Sequence, residues 1–159
     1  MKKKEKAFNE NNKFYPNSPY SSSKAASDGI ARAWYKTYGL PVIVTNCSNN
    51  YGKYQNKEKL IPLVINQALQ KKIIPVYGNG KNIRDWLHVS DHCDALLAIV
   101  KKGLVGEAYN IGGGTEIENI KIVKLICSHL NKKSPLKDGT SYLKLIKFVT
   151  DRLGHDFRY

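Results

Sequence analysis

The sequence predicts an α/β fold, a parallel sheet covered by helices and cut at both ends. Short β-branched runs alternate with stretches of helical period, the pattern of strand–helix layering. The run Val42-Ile43-Val44 is apolar without alternation, as in a parallel strand buried on both faces. The first helix has no strand before it, and the chain stops at Asp156-Phe157-Arg158-Tyr159 without a closing element, so both ends read as cut.

Each element has its own signal. Residues 1–17 are polar, with Asn9, Asn11, Asn12, Pro16 and Asn17, and read as a loop. A helix is predicted over 20–38, because Ala25, Ala26, Ile30, Ala33 and Trp34 fall close to one stripe and Gly39 then Pro41 end it. A strand follows over 41–46, then a loop rich in Asn and Gly over 47–59. The next helix spans 60–70, with Pro62 tolerated in its first turn. A strand over 73–77 is closed by Gly78-Asn79-Gly80, and another is predicted over 84–89.

Ser90 is then expected to cap a helix with Asp91 and Asp94 in its first turn, an apolar core over 95–100, and Gly103 at its end. A strand over 108–111 leads into Gly112-Gly113-Gly114. The last clear helix begins near Asn119 and should bury Ile122, Val123, Ile126 and Leu130. Residues 132–140 read as a loop and 142–149 as a short strand. No internal repeat is evident.

Composition narrows the function. With 159 residues and 42% apolar content the chain can build a core and is not of the disordered class. No apolar run approaches a membrane span, and Met1-Lys2-Lys3-Lys4 has no hydrophobic stretch behind it, so a secretory leader is not predicted and the cytoplasm is the default location. Cys47, Cys93 and Cys127 are far apart, which predicts small buried hydrophobes rather than disulfides or a zinc knuckle. His88, His92, His129 and His155 have no metal-ligand spacing, and His92 and His129 read as ordinary helix residues; no metal is expected.

The net charge of +13 raises the question of nucleic acid. However, 22 of the 26 basic residues are lysine, they are dispersed, and they accompany 14 asparagines and 14 isoleucines. Lys, Asn and Ile share A/T-rich codons, so much of the charge reflects composition, and an anionic small substrate suits it equally well. No nucleic-acid motif is present.

The chemically informative run is Ser18-Pro19-Tyr20-Ser21-Ser22-Ser23-Lys24. A tyrosine and a lysine four apart share a helix face, where an ammonium favours a phenolate able to take a proton from a sugar hydroxyl. The plainer reading is an amphipathic surface pair. Spacing alone is weak, because Tyr77 and Lys81 share it across a turn. The usual companion, a glycine-rich loop for a dinucleotide, would lie upstream, where only 19 residues precede Tyr20.

Several motifs now fall into register. Residues Phe14 to Lys24 resemble the catalytic helix entry of extended short-chain dehydrogenases that act on nucleotide sugars. Thr45-Asn46-Cys47-Ser48-Asn49-Asn50-Tyr51-Gly52, Glu58-Lys59-Leu60-Ile61-Pro62 and Pro75-Val76-Tyr77-Gly78 continue the likeness. Arg84-Asp85-Trp86-Leu87-His88-Val89-Ser90-Asp91-His92 and Tyr109-Asn110-Ile111-Gly112-Gly113 complete it. In order and separation, from about Phe8 to Tyr159, the set resembles the dTDP-glucose 4,6-dehydratase family, NAD-dependent lyases among the epimerases and dehydratases.

The resemblance implies a partial Rossmann-like parallel sheet with helices, plus a smaller substrate-binding α/β portion, truncated at both ends. It divides the chain into a polar loop (1–17), the end of the Rossmann-like domain (18–52) and a mainly substrate-binding portion with returning Rossmann elements (53–159). Tyr20 would deprotonate the sugar 4-hydroxyl as hydride passes to NAD, and Lys24 would hold the nicotinamide ribose and tune Tyr20. Asn50 would touch the cofactor. Asn49, Lys59, Leu60, Pro75, Tyr77, Arg84 and Asn119 match nucleotide-sugar positions, and Asp151 to His155 a loop that closes over the substrate.

The residues themselves leave alternatives. Arg84 suits a diphosphate as a bidentate donor, or a strand-end pair with Asp85. Tyr77 offers a ring to a pyrimidine, or a core residue. Asn49 and Asn50 are also common loop formers, and Lys59 is one lysine among many.

Partners implied are a nucleotide-diphosphate sugar, a second copy in a homodimer, and a separate chain carrying the N-terminal half. The glycine-rich loop and the Thr-Asp-Glu acid/base motif of the family have no counterpart in these residues, so the isolated chain is expected to be inactive. The family's Asp-Arg-Pro-Gly-His reads Asp151-Arg152-Leu153-Gly154-His155, and leucine loosens a backbone that proline would fix. The rivals are a non-catalytic nucleotide-sugar-binding remnant and a related epimerase or decarboxylase.

Overall fold

The first helix owes its start to serine chemistry. In the computed structural model, which describes residues 8–158, α1 runs Pro19–Tyr38. Ser18 caps it: its hydroxyl accepts from Ser21 N at 3.1 Å, while Ser21 Oγ accepts from Ser18 N at 3.0 Å. Pro19 occupies the first turn, where no N–H is missed, and Gly39 closes the helix in the left-handed region at φ 70°.

Three small sheets follow, each built on a parallel pair. Strand β1 (Val44–Cys47) pairs with β5 (Ala108–Ile111), Thr45 standing opposite Tyr109. Strand β2 (Asn49–Tyr51) pairs with β4 (Ile83–His88), and β6 (Glu116–Glu118) adds to β4 antiparallel. Strand β3 (Ile74–Tyr77) pairs with β7 (Ile146–Val149). Helices α2 (Leu60–Leu69), α3 (Val89–Lys102) and α4 (Asn119–Lys133) complete the α/β layering.

The elements expected from periodicity are present, with local corrections. The loop expected over 47–59 contains β2, whose Asn-Asn-Tyr sequence gives no strand signal and is ordered by pairing to β4. Helix α3 starts one residue before Ser90. Its cap is His88, whose side chain accepts from Ser90 N at 3.3 Å, and Asp91 is its acidic first-turn residue. The segment expected as a strand over 142–149 divides into a 3-10 turn (Tyr142–Leu145) and β7. Strand β6 carried no signal, because three residues are too few for a period to register.

The core lies where α2 and α4 cover β3. Val64, Ala68, Ile74, Val76, Val123, Cys127 and Tyr142 are buried, with Ile126 and Leu130 half-buried against them. Tyr142 reaches it with its polar end satisfied, its hydroxyl donating to Ser134 O at 2.8 Å.

Strand β1 differs from expectation: Val44, Thr45 and Asn46 are half-buried and Cys47 is exposed. Its sheet holds only β5 as a partner among the described residues, so neither face is sealed. The half-buried stripe of α1 is Ser21, Ala25, Asp28, Ala31 and Tyr35, which meets the predicted one only at Ala25. Tyr35 needs Gly106, where a Cβ would stand 2.1 Å from its ring. Ile30 and Trp34 point outward, 60% and 51% exposed. Of the cysteines, Cys127 is buried as expected, whereas Cys47 and Cys93 are exposed.

Candidate nucleotide-sugar site

The returning segment 151–158 builds the site on β4. Ile83 N donates to Phe157 O at 2.7 Å, and Ile83 and Arg158 form a parallel bridge. Arg158 is fixed from the other side by Glu116 of β6, Nε to Oε1 at 2.6 Å. Asp85 spends both carboxylate oxygens on the backbone N–H groups of Gly113 (2.7 Å) and Thr115 (2.8 Å), which steers the glycine turn into β6. Gly113 has to be glycine there, since a Cβ would stand 2.1 Å from Trp86 O.

Arg84 lies under this segment, only 4% exposed. Its Nη1 donates to Ile83 O at 2.7 Å and Phe157 O at 3.3 Å. Its Nη2 donates to Asp156 O at 2.8 Å and stands 2.9 Å from His155 Nε2. Arg152 Nη2 approaches the same Nε2 at 3.2 Å, while His155 Nδ1 lies 2.7 Å from Asp151 Oδ1. The hydrogen bond from His155, helped by the N–H of Arg152, holds the Asp151 carboxyl below the usual carboxylate range.

Tyr77, at the end of β3, closes one side of the cluster. The Arg152 guanidinium lies 5.0 Å from its ring centroid, a cation–π distance, and the His155 ring stands edge-on to it at 6.5 Å. Gly78, at φ 54°, leaves room for Asp151: a Cβ there would be 2.9 Å from Oδ2. Asn82 ties in a further position. Its side chain donates to Asp156 O at 3.2 Å and its carbonyl accepts from Asn119 N at 2.9 Å.

The structure therefore brings Tyr77, Arg84, Asp151 and His155 together, with Asn119 joined through Asn82. Asn119 Oδ1 is buried without a hydrogen-bond partner. Pro75 sits two residues before Tyr77 on β3, opposite Lys147. Lys59 and Leu60 stand at the start of α2, Lys59 exposed and Leu60 half-buried toward the core. Asn82 was missed because an asparagine in a Gly-Asn-Gly-Lys-Asn turn reads as a loop former; Arg152 was legible only as part of the Asp-Arg-Leu-Gly-His run.

Asn49 and Asn50 are strand residues, opposite Trp86 and Leu87 of β4. The Asn50 amide nitrogen donates to Ser48 O at 3.3 Å and lies 3.1 Å from Cys47 Sγ. Its Oδ1 is buried and unpartnered, as are Ser48 Oγ, just before β2, and Trp86 Nε1, whose residue pairs with Asn49 and so shares the other face of the sheet. Tyr20 and Lys24 lie on the exposed surface of α1, Tyr20 75% exposed. One contact links that helix entry to the Arg84 cluster: Asn17 Nδ2 donates to Asp156 Oδ1 at 3.0 Å.

Among the described residues no group of three His, Cys, Asp or Glu side chains could hold a metal ion, and no helix is long and apolar enough to cross a membrane.

The profile of the GDP-mannose 4,6 dehydratase family matches residues 2–159. A dTDP-glucose 4,6-dehydratase of Xanthomonas campestris pv. campestris is 57% identical over 152 residues, which is 96% of this chain and 43% of that protein. The solved dTDP-glucose 4,6-dehydratase of Bacillus anthracis, in complex with NAD, is 54% identical with a TM-score of 0.86 over 98% of this chain and 47% of that one. That of Streptomyces venezuelae, also with NAD bound, is 41% identical with a TM-score of 0.88 over 98% and 45%. The chain thus spans less than half the length of these relatives.

Proposed function

The chain belongs to the GDP-mannose 4,6-dehydratase family, and on that premise we propose that it is the nucleotide-sugar-binding, Tyr-Lys-bearing part of a dTDP-glucose 4,6-dehydratase. The observation that carries the reading is the meeting of two guanidinium groups, Arg84 and Arg152, at one imidazole beside the Tyr77 ring. Guanidinium forks suit a diphosphate, and a ring at their side suits a base. Asn119, joined through Asn82, is assigned to the same ligand by family likeness. Asp151 holds His155 in place from behind. Asn49, Lys59, Leu60 and Pro75 are assigned to the nucleotide-sugar by family likeness alone.

NAD is the implied cofactor, and the residues fit one end of it. Asn50 Oδ1 and Ser48 Oγ are buried polar atoms without a hydrogen-bond partner, which a nicotinamide and its ribose would supply. Lys24 would hold that ribose. Among the described residues none fits the pyrophosphate: the start of α1 is already capped by Ser18 and Ser21, and the glycine-rich loop has no counterpart in the sequence. NAD, when bound, supplies a hydride acceptor for carbon 4 of the sugar. Tyr20 would take the proton from the 4-hydroxyl. Elimination of water needs an acid/base pair that these residues do not contain, so that step falls to a segment outside them.

The division into 1–17, 18–52 and 53–159, a homodimer, a separately supplied N-terminal half and a cytoplasmic setting belong to the same proposal. The test is co-expression with the N-terminal half of a family member. Product should form from dTDP-glucose, and Tyr20→Phe should lower turnover by about 100-fold or more. Normal turnover in Tyr20→Phe removes Tyr20 from the chemistry. A second reading, nucleotide-sugar binding without catalysis, is favoured by the exposure of Tyr20 and Lys24; it prevails if the paired halves associate and no product forms.

A further inference from the structure

The proposed nucleotide-sugar cluster and the proposed base lie on separate parts of the molecule, and one side-chain pair joins them. Asn17 Nδ2 donates to Asp156 Oδ1 at 3.0 Å, across 139 residues of sequence. Each end of that bond is held stiffly. The Asp156 carbonyl accepts from Arg84 Nη2 at 2.8 Å and from Asn82 Nδ2 at 3.2 Å, two residues only 4% and 6% exposed. Phe157 O accepts from Ile83 N at 2.7 Å, so the main chain at 156–157 is pinned to β4 and the turn before it. Asn17, for its part, is locked to Tyr20. Between them stand Ser18, which exchanges hydrogen bonds with Ser21 at 3.0 and 3.1 Å, and Pro19, whose ring fixes φ. A displacement of Asn17 is therefore carried into the first turn of α1, where Tyr20 stands.

A second observation points to the same seat. Gly154 takes a left-handed φ of 67°, and a Cβ there would stand 3.0 Å from Asn17 O and 3.7 Å from Ser18 Cβ. The return segment thus approaches the α1 entry by its backbone as well as by Asp156. Further back, Glu10 Oε1 accepts from Asn110 N of β5 at 2.9 Å, so residues 10–17 are tied at both ends.

We infer that Asn17 and Asp156 are positioning residues for the proposed reaction: their hydrogen bond sets where Tyr20 stands relative to a sugar held at the Tyr77–Arg152 side of the cluster. This rests on the nucleotide-sugar reading of that cluster and on Tyr20 as its base. Neither residue moves a proton; each acts through its anchored neighbour. Base and hydroxyl must meet within about 3 Å, and misplacement by about 1 Å costs on the order of 100-fold in rate. The bond therefore governs turnover more than binding.

The test has two arms. In the chain by itself, Asp156→Ala should shift the amide signals of 18–21 and leave those of α4 in place; unmoved signals at 18–21 overturn the inference. In the chain paired with the N-terminal half of a family member, Asn17→Ala and Asp156→Ala should each lower kcat about tenfold or more, with KM for dTDP-glucose changed by less than about twofold. The double variant should be no slower than either single one. Asn17→Asp alone sets two carboxylates against each other and should be slower still. Combined with Asp156→Asn, it exchanges donor and acceptor across the pair and should recover most of the turnover. In a Tyr20→Phe background, Asn17→Ala should cost nothing further. Unchanged kcat in both alanine variants, additive losses, or an undiminished loss in the Tyr20→Phe background overturns the inference. The wild-type pair tells the two failures apart. If it forms no product, the reading of Tyr20 as base has failed and the positioning falls with it. If it turns over dTDP-glucose and Tyr20→Phe is slow, that reading stands and the Asn17 and Asp156 variants alone decide.

Discussion

Val123 and Cys127 on α4 are sealed from water, whereas Ile30 and Trp34 on α1 stand in it. Both helices are amphipathic by sequence. What separates them is the number of layers around each. Helix α4 has β3, α2 and the 3-10 turn at 142–145 closed over its apolar stripe. Helix α1 packs a narrow stripe of small residues, with Tyr35, on a two-stranded sheet and leaves its larger apolar side chains without a cover among the described residues. Hydrophobic period therefore reports which side chains seek burial, and only the count of neighbouring layers decides whether they find it. The candidate site follows the same division. The Arg84 cluster is anchored to the closed region through β3 and β4, while Tyr20 and Lys24 lie on the open one.

The strongest way to sharpen the contrast is to remove bulk from the closed region. Ile74→Ala deletes a fully buried side chain between α2 and β7 and should destabilise the fold by about 2–5 kcal/mol. Urea unfolding followed by circular dichroism measures it. A loss under about 1 kcal/mol would mean that this core is no better packed than α1.

Next in size is the bridge between the regions. If the proposed site is right, then with the N-terminal half supplied Arg84→Ala should weaken nucleotide binding by about 2–4 kcal/mol, read by calorimetry. Arg84→Lys should recover only part, since the fork is lost while the charge remains. Equal affinity in all three proteins would confine Arg84 to its backbone contacts with Asp156 and Phe157 and leave the site without its anchor.

The helices of both regions were legible from sequence for one reason. Stops and period are local, and Gly39, Gly103 and the α4 stripe all act within a few residues. Strands β2 and β6 were not, because Asn49–Tyr51 and Glu116–Glu118 are too short for a period and are held by β4 from far along the chain. The outward face of α1 was misassigned for a related cause: periodicity cannot tell which of two apolar sides meets a sheet. At the site, motif likeness pointed to Tyr77, Arg84, Asp151 and His155. It did not point to Asn82 or to the Glu116–Arg158 pair, which matter only once 151–158 folds back onto β4.

The local nature of the α1 start makes a third prediction. Ser18→Ala removes the hydroxyl that accepts from Ser21 N and should cost about 1 kcal/mol. Because Asn17, one residue earlier, holds Asp156, slower hydrogen exchange at the α1 start than in the open remainder of that helix should be lost with it. Unchanged exchange in Ser18→Ala would separate the two regions completely.

Acid should loosen the site before the core. The folded Asp151 carboxyl titrates below its ordinary value of about 3.9, so the stability it contributes is present above that pH and is lost as pH falls through the lower, folded value. Asp138, held down by the N–H and hydroxyl of Thr140, behaves alike in the turn after α4. Amide signals of 151–155 should therefore change below about pH 4 while those of α4 persist. Simultaneous loss of both sets would merge the regions into one cooperative unit.

The smallest expected effect tests the open region itself. The Trp34 ring lies tilted against Tyr38, 4.8 Å between ring centroids, and otherwise faces outward, half exposed. If α1 carries no cover in solution, Trp34→Gln removes little buried surface and should change stability by no more than about 0.5 kcal/mol. A loss above about 1 kcal/mol requires that the ring be buried by something, because exposed side chains away from caps and cores do not yield such values. Sedimentation of the same two proteins identifies the agent. If the wild type self-associates and Trp34→Gln does not, a second copy covers α1 and the open face is a surface between chains. If both sediment as monomers and remain equally stable, the contrast between a sealed α4 and an unsealed α1 is a property of this chain alone.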